Sequence, residues 1–86
     1  MTVISKFYGI AIRMLFSQSL TARFHALYGQ WELVVGIAPL RIIQGEAPAR
    51  VCSMVMDWAA QHRHELQENW ELCRLAAGPK PILPLY

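Results

Sequence analysis

Cysteine is scarce in this sequence, which excludes the frameworks that small cysteine-rich proteins depend on. Cys52 and Cys73 are the two cysteines among 86 residues, too few for a disulfide scaffold or a tetrahedral zinc site. Both fall in a stretch of helical periodicity, which would set them about 31 Å apart along one helix. That is far beyond disulfide reach, so both are expected as buried, reduced thiols. Charge is also sparse, at 16% of residues. No apolar run approaches the roughly 18 residues that a membrane span requires. Lys6 and Arg13 interrupt the N-terminal stretch and no cleavage site follows, so neither a signal peptide nor a membrane association is predicted. The expected location is the cytoplasm. A Ser-His-Asp set, a phosphate loop and a Gly-rich nucleotide fingerprint are all missing. The enzyme classes resting on them are disfavoured, and no cofactor is expected.

What the chain has in abundance is apolar surface. Apolar residues make up 55% of the sequence, although a single domain of this size buries only about 60–65% of its unfolded surface. The excess predicts an exposed apolar patch that serves a partner or a second copy of the chain. The net charge of +2 is divided unevenly. Residues 1–50 carry a net +3 and residues 51–86 a net −1. A mildly basic first half beside a mildly acidic second half is a weak nucleic-acid signal.

The stretch from Arg23 to Gly36 organises the rest. It reads as two strands around Gly29-Gln30, with glycine at the turn position that needs a positive φ in a type II′ hairpin. The register follows from the turn, pairing Tyr28 with Trp31, His25 with Val34 and Arg23 with Gly36. Alternation then puts Phe24, Ala26, Tyr28, Trp31, Leu33 and Val35 on one face. Arg23, His25, Leu27, Glu32 and Val34 share the other.

Upstream, Ile4 to Phe7 is short and apolar, and Tyr8-Gly9 allows a bend or bulge. Ile10, Ile12, Met14 and Phe16 alternate as the inward side of a long strand, with Arg13 on the opposite face. A polar connection, Ser17 to Ala22, leads into the hairpin. Gly36 and Pro39 end the third strand, and Leu40 to Gln44 forms a fourth that Gly45 closes. With Leu40 and Ile42 inward, Arg41 joins Arg13, Arg23 and His25 outside; the adjacency of Ile42 and Ile43 leaves that orientation open.

Residues 47–77 read as helix, with Pro48 in the first turn and Gly78-Pro79 as the stop. Val51, Val55, Trp58, His62, Leu66, Trp70 and Cys73 recur at helical spacing, widened by Cys52 and Ala59. About 28 helical residues would span roughly 42 Å, so a break or a frayed end is expected. Residues 78–86 read as an extended apolar tail, laid over the sheet or onto a partner. The expected fold is α+β: a three- to four-stranded antiparallel sheet, residues 1–45, covered by one long C-terminal amphipathic helix.

Chemistry concentrates around His25. An imidazole moves protons near neutral pH, and guanidinium groups hold phosphate with paired hydrogen bonds. His25 and Arg23 are therefore the candidate catalytic residues, and Arg13, Arg41 and Lys6 the candidate phosphate- or RNA-binding residues. A solvated sheet face with a surface histidine is the plain alternative. Glu32 either orients His25 or neutralises Arg23. His62, on the apolar stripe, reads as a core histidine bonded to a backbone carbonyl. His62 and His64 do not share a helix face, so no metal site is expected. Trp58 and Trp70 read as packing residues, buried with Leu66 against Phe24, Leu33 and Val35. Ile82, Leu83, Leu85 and Tyr86 are the candidate partner-binding residues of the tail.

Several stretches carry a family resemblance: Ile4-Ser5-Lys6-Phe7-Tyr8-Gly9-Ile10, Ile12-Arg13-Met14, Phe24-His25-Ala26 with Tyr28-Gly29, Gly45-Glu46-Ala47-Pro48, Trp58 through Asn69-Trp70-Glu71-Leu72, and Ile82-Leu83-Pro84-Leu85. Together they resemble the bacterial family labelled domain of unknown function 4160. Members are small proteins, often encoded beside a second small protein, in some cases with a helix-turn-helix domain. The resemblance implies the toxin role in a toxin–antitoxin pair, neutralised by a small cognate antitoxin. The family pattern has a Pro-Pro loop ending in His-Phe-His; in this chain Arg23 stands at the first histidine and His25 keeps the second. The expected function is therefore a toxin acting on RNA or translation, with ribonuclease-like chemistry as the enzymatic version. The alternative is a non-catalytic interaction or regulatory module.

Overall fold

The computed structural model describes residues 2–15 and 21–85. Five strands, β1 (Thr2–Phe7), β2 (Ile10–Met14), β3 (Arg23–Tyr28), β4 (Trp31–Ile37) and β5 (Leu40–Glu46), precede two helices, α1 (Ala49–Gln61) and α2 (Arg63–Arg74). The strands form one antiparallel sheet in sequence order, so each neighbour in the chain is a neighbour in space. The α+β class holds, with five strands where three or four were expected and two helices where one was.

The extra strand comes from the Tyr8-Gly9 turn. Phe7 pairs with Ile10, and Tyr8 and Gly9 both have positive φ, 50° and 80°. This is the two-residue type I′ hairpin signature rather than a bend within a strand. Gly29-Gln30 closes the β3–β4 hairpin with φ of 57° at Gly29, and the pairing runs from Tyr28↔Trp31 to Arg23↔Gly36, as the turn predicts. Ala38-Pro39, joined by a cis peptide, makes the third two-residue turn and brings Ile37 opposite Leu40. Phe16, expected as part of the second strand, lies outside the described residues.

A bulge in β5 resolves the Ile42–Ile43 ambiguity. Val34 pairs with Gln44 and Val35 with Ile42, leaving Ile43 as the extra residue. Ile42 therefore takes the inner face with Val35, while the Ile43 side chain lies over Gly36 on the outer face. Gly45 does not end the strand, which continues to Glu46 opposite Glu32. A positive φ of 92° allows this, and a Cβ there would run into the Glu32 carbonyl oxygen.

The helices cover only the inner face. Ile10, Ile12, Met14, Phe24, Ala26, Leu33 and Val35 are buried there against Val51, Val55, Trp58, Ala59, Leu66 and Trp70. Trp58 sits at the centre, with ring centroids 5.6 Å from Phe7 and 5.7 Å from Phe24, the latter edge-on. The one long helix is two, the break expected from its length falling at His62, whose φ and ψ are −122° and 25°. Its amide bonds back to Trp58 and Ala59, and its carbonyl accepts from Leu66. The physical reason is length. A straight helix of about 42 Å would overrun a molecule with extents of 33 × 25 × 22 Å. The bend keeps Trp58 and Trp70 over the same sheet. It also removes the straight axis on which the Cys52–Cys73 separation rested; both cysteines are free and half-buried, and burial pushes the Cys73 thiol upward.

The second helix stops at Arg74, earlier than Gly78 suggested. Ala76 adopts a left-handed φ of 58°, with Ala76 N–H donating to Cys73 and Ala77 N–H to Leu72. That bonding is a Schellman motif with alanine where glycine is usual. The remaining residues fold back as a strap. Ile82 N–H donates to the Ile4 carbonyl at 2.7 Å, and the Trp58 indole N–H to the Leu83 carbonyl at 2.8 Å. Ile82 is buried in the chain's own core.

Candidate functional site

Strand pairing alone assembles the outer sheet face. Arg13 on β2 stands directly opposite His25 on β3, which stands opposite Val34 and then Gln44. One row over run Lys6, Ala11, Leu27, Glu32 and Glu46. The row on the other side holds Arg23, Gly36 and Arg41. Every basic residue singled out from the sequence thus reaches the face opposite the helices.

The side chains are not equivalent. His25 Nδ1 lies 3.0 Å from Glu32 Oε2, with the imidazole 21% exposed and the carboxylate 50%. Glu32 therefore pairs with His25 and not with Arg23. With the carboxylate as acceptor, Nδ1 is the donor of this bond, and in the neutral form of the ring Nε2 has the lone pair. Arg23 turns away, its guanidinium donating to the carbonyl and the hydroxyl of Thr21 at 3.2 Å each. Arg13 is half-buried beside His25, and its Nε is shielded from solvent with no partner among the described residues. The cation facing the imidazole is Arg13 rather than Arg23. Arg41 and Lys6 are exposed at the margins.

Glu46, directly opposite Glu32, escaped the sequence reading because Gly45 seemed to close the strand. Aliphatic side chains share this face as well: Val3, opposite Arg13, is 40% exposed and Ile43, over Gly36, is 37% exposed. No cluster of metal-ligating side chains occurs among the described residues. His62 bonds Glu65 Oε1 through Nδ1 at 2.6 Å and packs on Trp58, so its partner is a carboxylate in place of the expected backbone carbonyl. In the tail, Leu83 is exposed and Leu85 half-buried, while Tyr86 lies outside the described residues. No described helix is long and apolar enough to cross a membrane.

Fold and face together define a two-layer α+β protein with one sheet face that neither described helix covers, on which a histidine–carboxylate pair adjoins an arginine. The model of the family described as domain of unknown function (DUF4160) matches residues 9–71, and the chain belongs to that family. The matched segment contains β2 to β5, α1 and most of α2, and so includes Arg13, His25 and Glu32. No curated protein and no solved structure matches the chain.

Proposed function

We propose that this chain is the toxin member of a two-protein pair, neutralised by a small cognate antitoxin, and that its open sheet face acts on RNA. The observation that carries the reading is Arg13 opposite His25, with Glu32 3.0 Å from Nδ1. An imidazole held by a carboxylate at Nδ1 presents Nε2 as a general base for a ribose hydroxyl. A guanidinium beside it neutralises the adjacent phosphate, and Arg41 and Lys6 extend the positive margin along the strand. The toxin role itself comes from the family resemblance; the face supplies a chemistry suited to it.

A second reading has its own support. Val3 and Ile43 place aliphatic surface on the same face, which suits a non-catalytic module that recruits a protein partner. Growth on expression, with and without the neighbouring gene, separates the two. His25→Ala should abolish growth arrest while keeping the thermal transition and antitoxin binding, since losing a general acid or base costs about 10²–10⁴ in rate. Arg13→Ala should weaken RNA binding, with a smaller deficit at high salt. A folded His25→Ala variant that still arrests growth fully would replace the catalytic reading with the interaction module.

A further inference from the structure

The two hairpin turns Tyr8-Gly9 and Gly29-Gln30 project from the same end of the sheet, because β2 and β3 are adjacent and antiparallel. Aromatic rings gather there at the margin of the core, with Tyr28 half-buried against it. Tyr8 is 62% exposed, held outward by its left-handed φ. Trp31 is 37% exposed, whereas the other two tryptophans are buried. Trp31 stands directly opposite Tyr28, and the Tyr28 ring lies against Gly9, where a Cβ would sit 3.3 Å from Cε1. Trp31, Tyr28 and the turn that carries Tyr8 thus follow one another along this edge of the sheet.

Cations flank this edge. The Arg50 guanidinium donates to the Tyr28 hydroxyl at 2.8 Å and lies 5.7 Å from the ring centroid. It reaches there from the first turn of α1. On the other side, Lys6 and Tyr8 line a shallow, open hollow at the β1–β2 turn. Exposed rings with positive charge at their borders are the elements of single-strand recognition: bases stack on the rings while the cations follow the phosphates.

We propose that this end of the sheet, built by Tyr8, Tyr28 and Trp31 with Lys6 and Arg50, is a stacking site for unpaired bases of single-stranded RNA. The proposal rests on the RNA reading above and assigns its substrate class. Tyr28 and Trp31 continue the inner face at the hairpin end, whereas Lys6, Arg13 and His25 lie on the outer face, so the strand passes around the hairpin end at Tyr8 to reach Lys6, Arg13 and His25. The outer face around His25 offers aliphatic groups and no aromatic ring among the described residues, so base contacts fall to the hairpin end.

Trp31 makes the test direct, because it is the exposed indole and its fluorescence reports stacking. The full chain is titrated with unstructured oligouridylate and oligoadenylate, and with inorganic polyphosphate as a base-free polyanion. RNA should quench the emission and polyphosphate should not. Tyr8→Ala and Trp31→Ala should weaken RNA binding about ten- to a hundred-fold, measured by anisotropy of labelled RNA, and leave polyphosphate binding unchanged. Trp31→Phe, which keeps a ring, should retain most of the affinity. Thermal melts confirm that each variant is folded. Ring variants that bind RNA as wild type does overturn the stacking site; the sheet-face reading still stands if His25→Ala loses growth arrest in parallel. Wild-type protein that binds no RNA overturns both. Loss of a protein partner in the ring variants, with RNA binding intact, overturns the stacking site in favour of a protein contact.

Discussion

The side-chain amide of Asn69 grips the backbone of Lys80 in both directions. Its Nδ2 donates to the Lys80 carbonyl and its Oδ1 accepts from the Lys80 N–H, each at 2.8 Å. Asn69 is 1% exposed, so a buried polar side chain on α2 is fully satisfied by a strap eleven residues later in the chain. With the Trp58–Leu83 and Ile82–Ile4 bonds, the grip holds Ile82 in the core.

Asn69→Ala leaves two backbone groups at Lys80 without their partners. The expected loss is about 1–3 kcal/mol, measured by urea unfolding, together with earlier proteolytic cleavage within residues 79–85. Unchanged stability with an intact strap would show that solvent replaces the amide at no cost.

Gly45→Ala should be among the most damaging single-methyl additions in the sheet. The residue has a φ of 92°, and its missing Cβ is the space occupied by the Glu32 carbonyl. The strand must shift or the φ must change, costing on the order of 1–3 kcal/mol. Circular dichroism melts compare it with Gly29→Ala, where φ is also positive but nothing lies within 4 Å of the added carbon. Equal losses at the two sites would contradict the steric argument.

Trp70→Ala removes a side chain 6% exposed that packs in the shared core with Leu66 and Trp58. A cost of roughly 3–5 kcal/mol is expected. An equilibrium denaturation midpoint unchanged from wild type would place Trp70 outside the cooperative core.

The legible parts of the fold are those where a local rule determines a long-range pairing. A glycine at the first turn position specified the β3–β4 register, and with it the faces of His25 and Glu32. Binary alternation placed Arg13 on the same outer face, though not its pairing with His25, and the helical stripe named Trp58, Leu66 and Trp70 as core. What stayed hidden depends on contacts that no periodicity encodes. His62 fits the apolar stripe, so the length of the helix called for a break but nothing in the spacing marks its position. Tyr8 carries a positive φ that glycine usually supplies, which disguised a hairpin as a bend. Nothing in the helical spacing marks Asn69 as a structural residue, because its partner is a backbone segment beyond the helix. Arg23 matched the expected face, yet a hydroxyl and a carbonyl two residues away, both from Thr21, claim its guanidinium.

Glu46 and Glu32 stand directly opposite each other on the outer face, a like-charge pair within a sheet that already holds Glu32 against His25. Direct cross-strand repulsion costs about 0.2–1 kcal/mol. Glu46→Gln should therefore stabilise the protein by that amount, because it removes the repulsion and leaves the His25–Glu32 pair intact. Glu32→Gln removes the repulsion and the pair together, so its net effect should be close to zero or slightly unfavourable. In a Glu32→Gln background, Glu46→Gln should then gain nothing, and the double-mutant cycle isolates the coupling. Both groups are largely exposed, so the gain should shrink between low salt and about 1 M salt, where the screening length falls to about 3 Å. Urea unfolding at two ionic strengths supplies all the measurements. A gain at Glu46 that persists unchanged without Glu32, or at high salt, would mean that packing or strand propensity is responsible and that the two carboxylates do not interact.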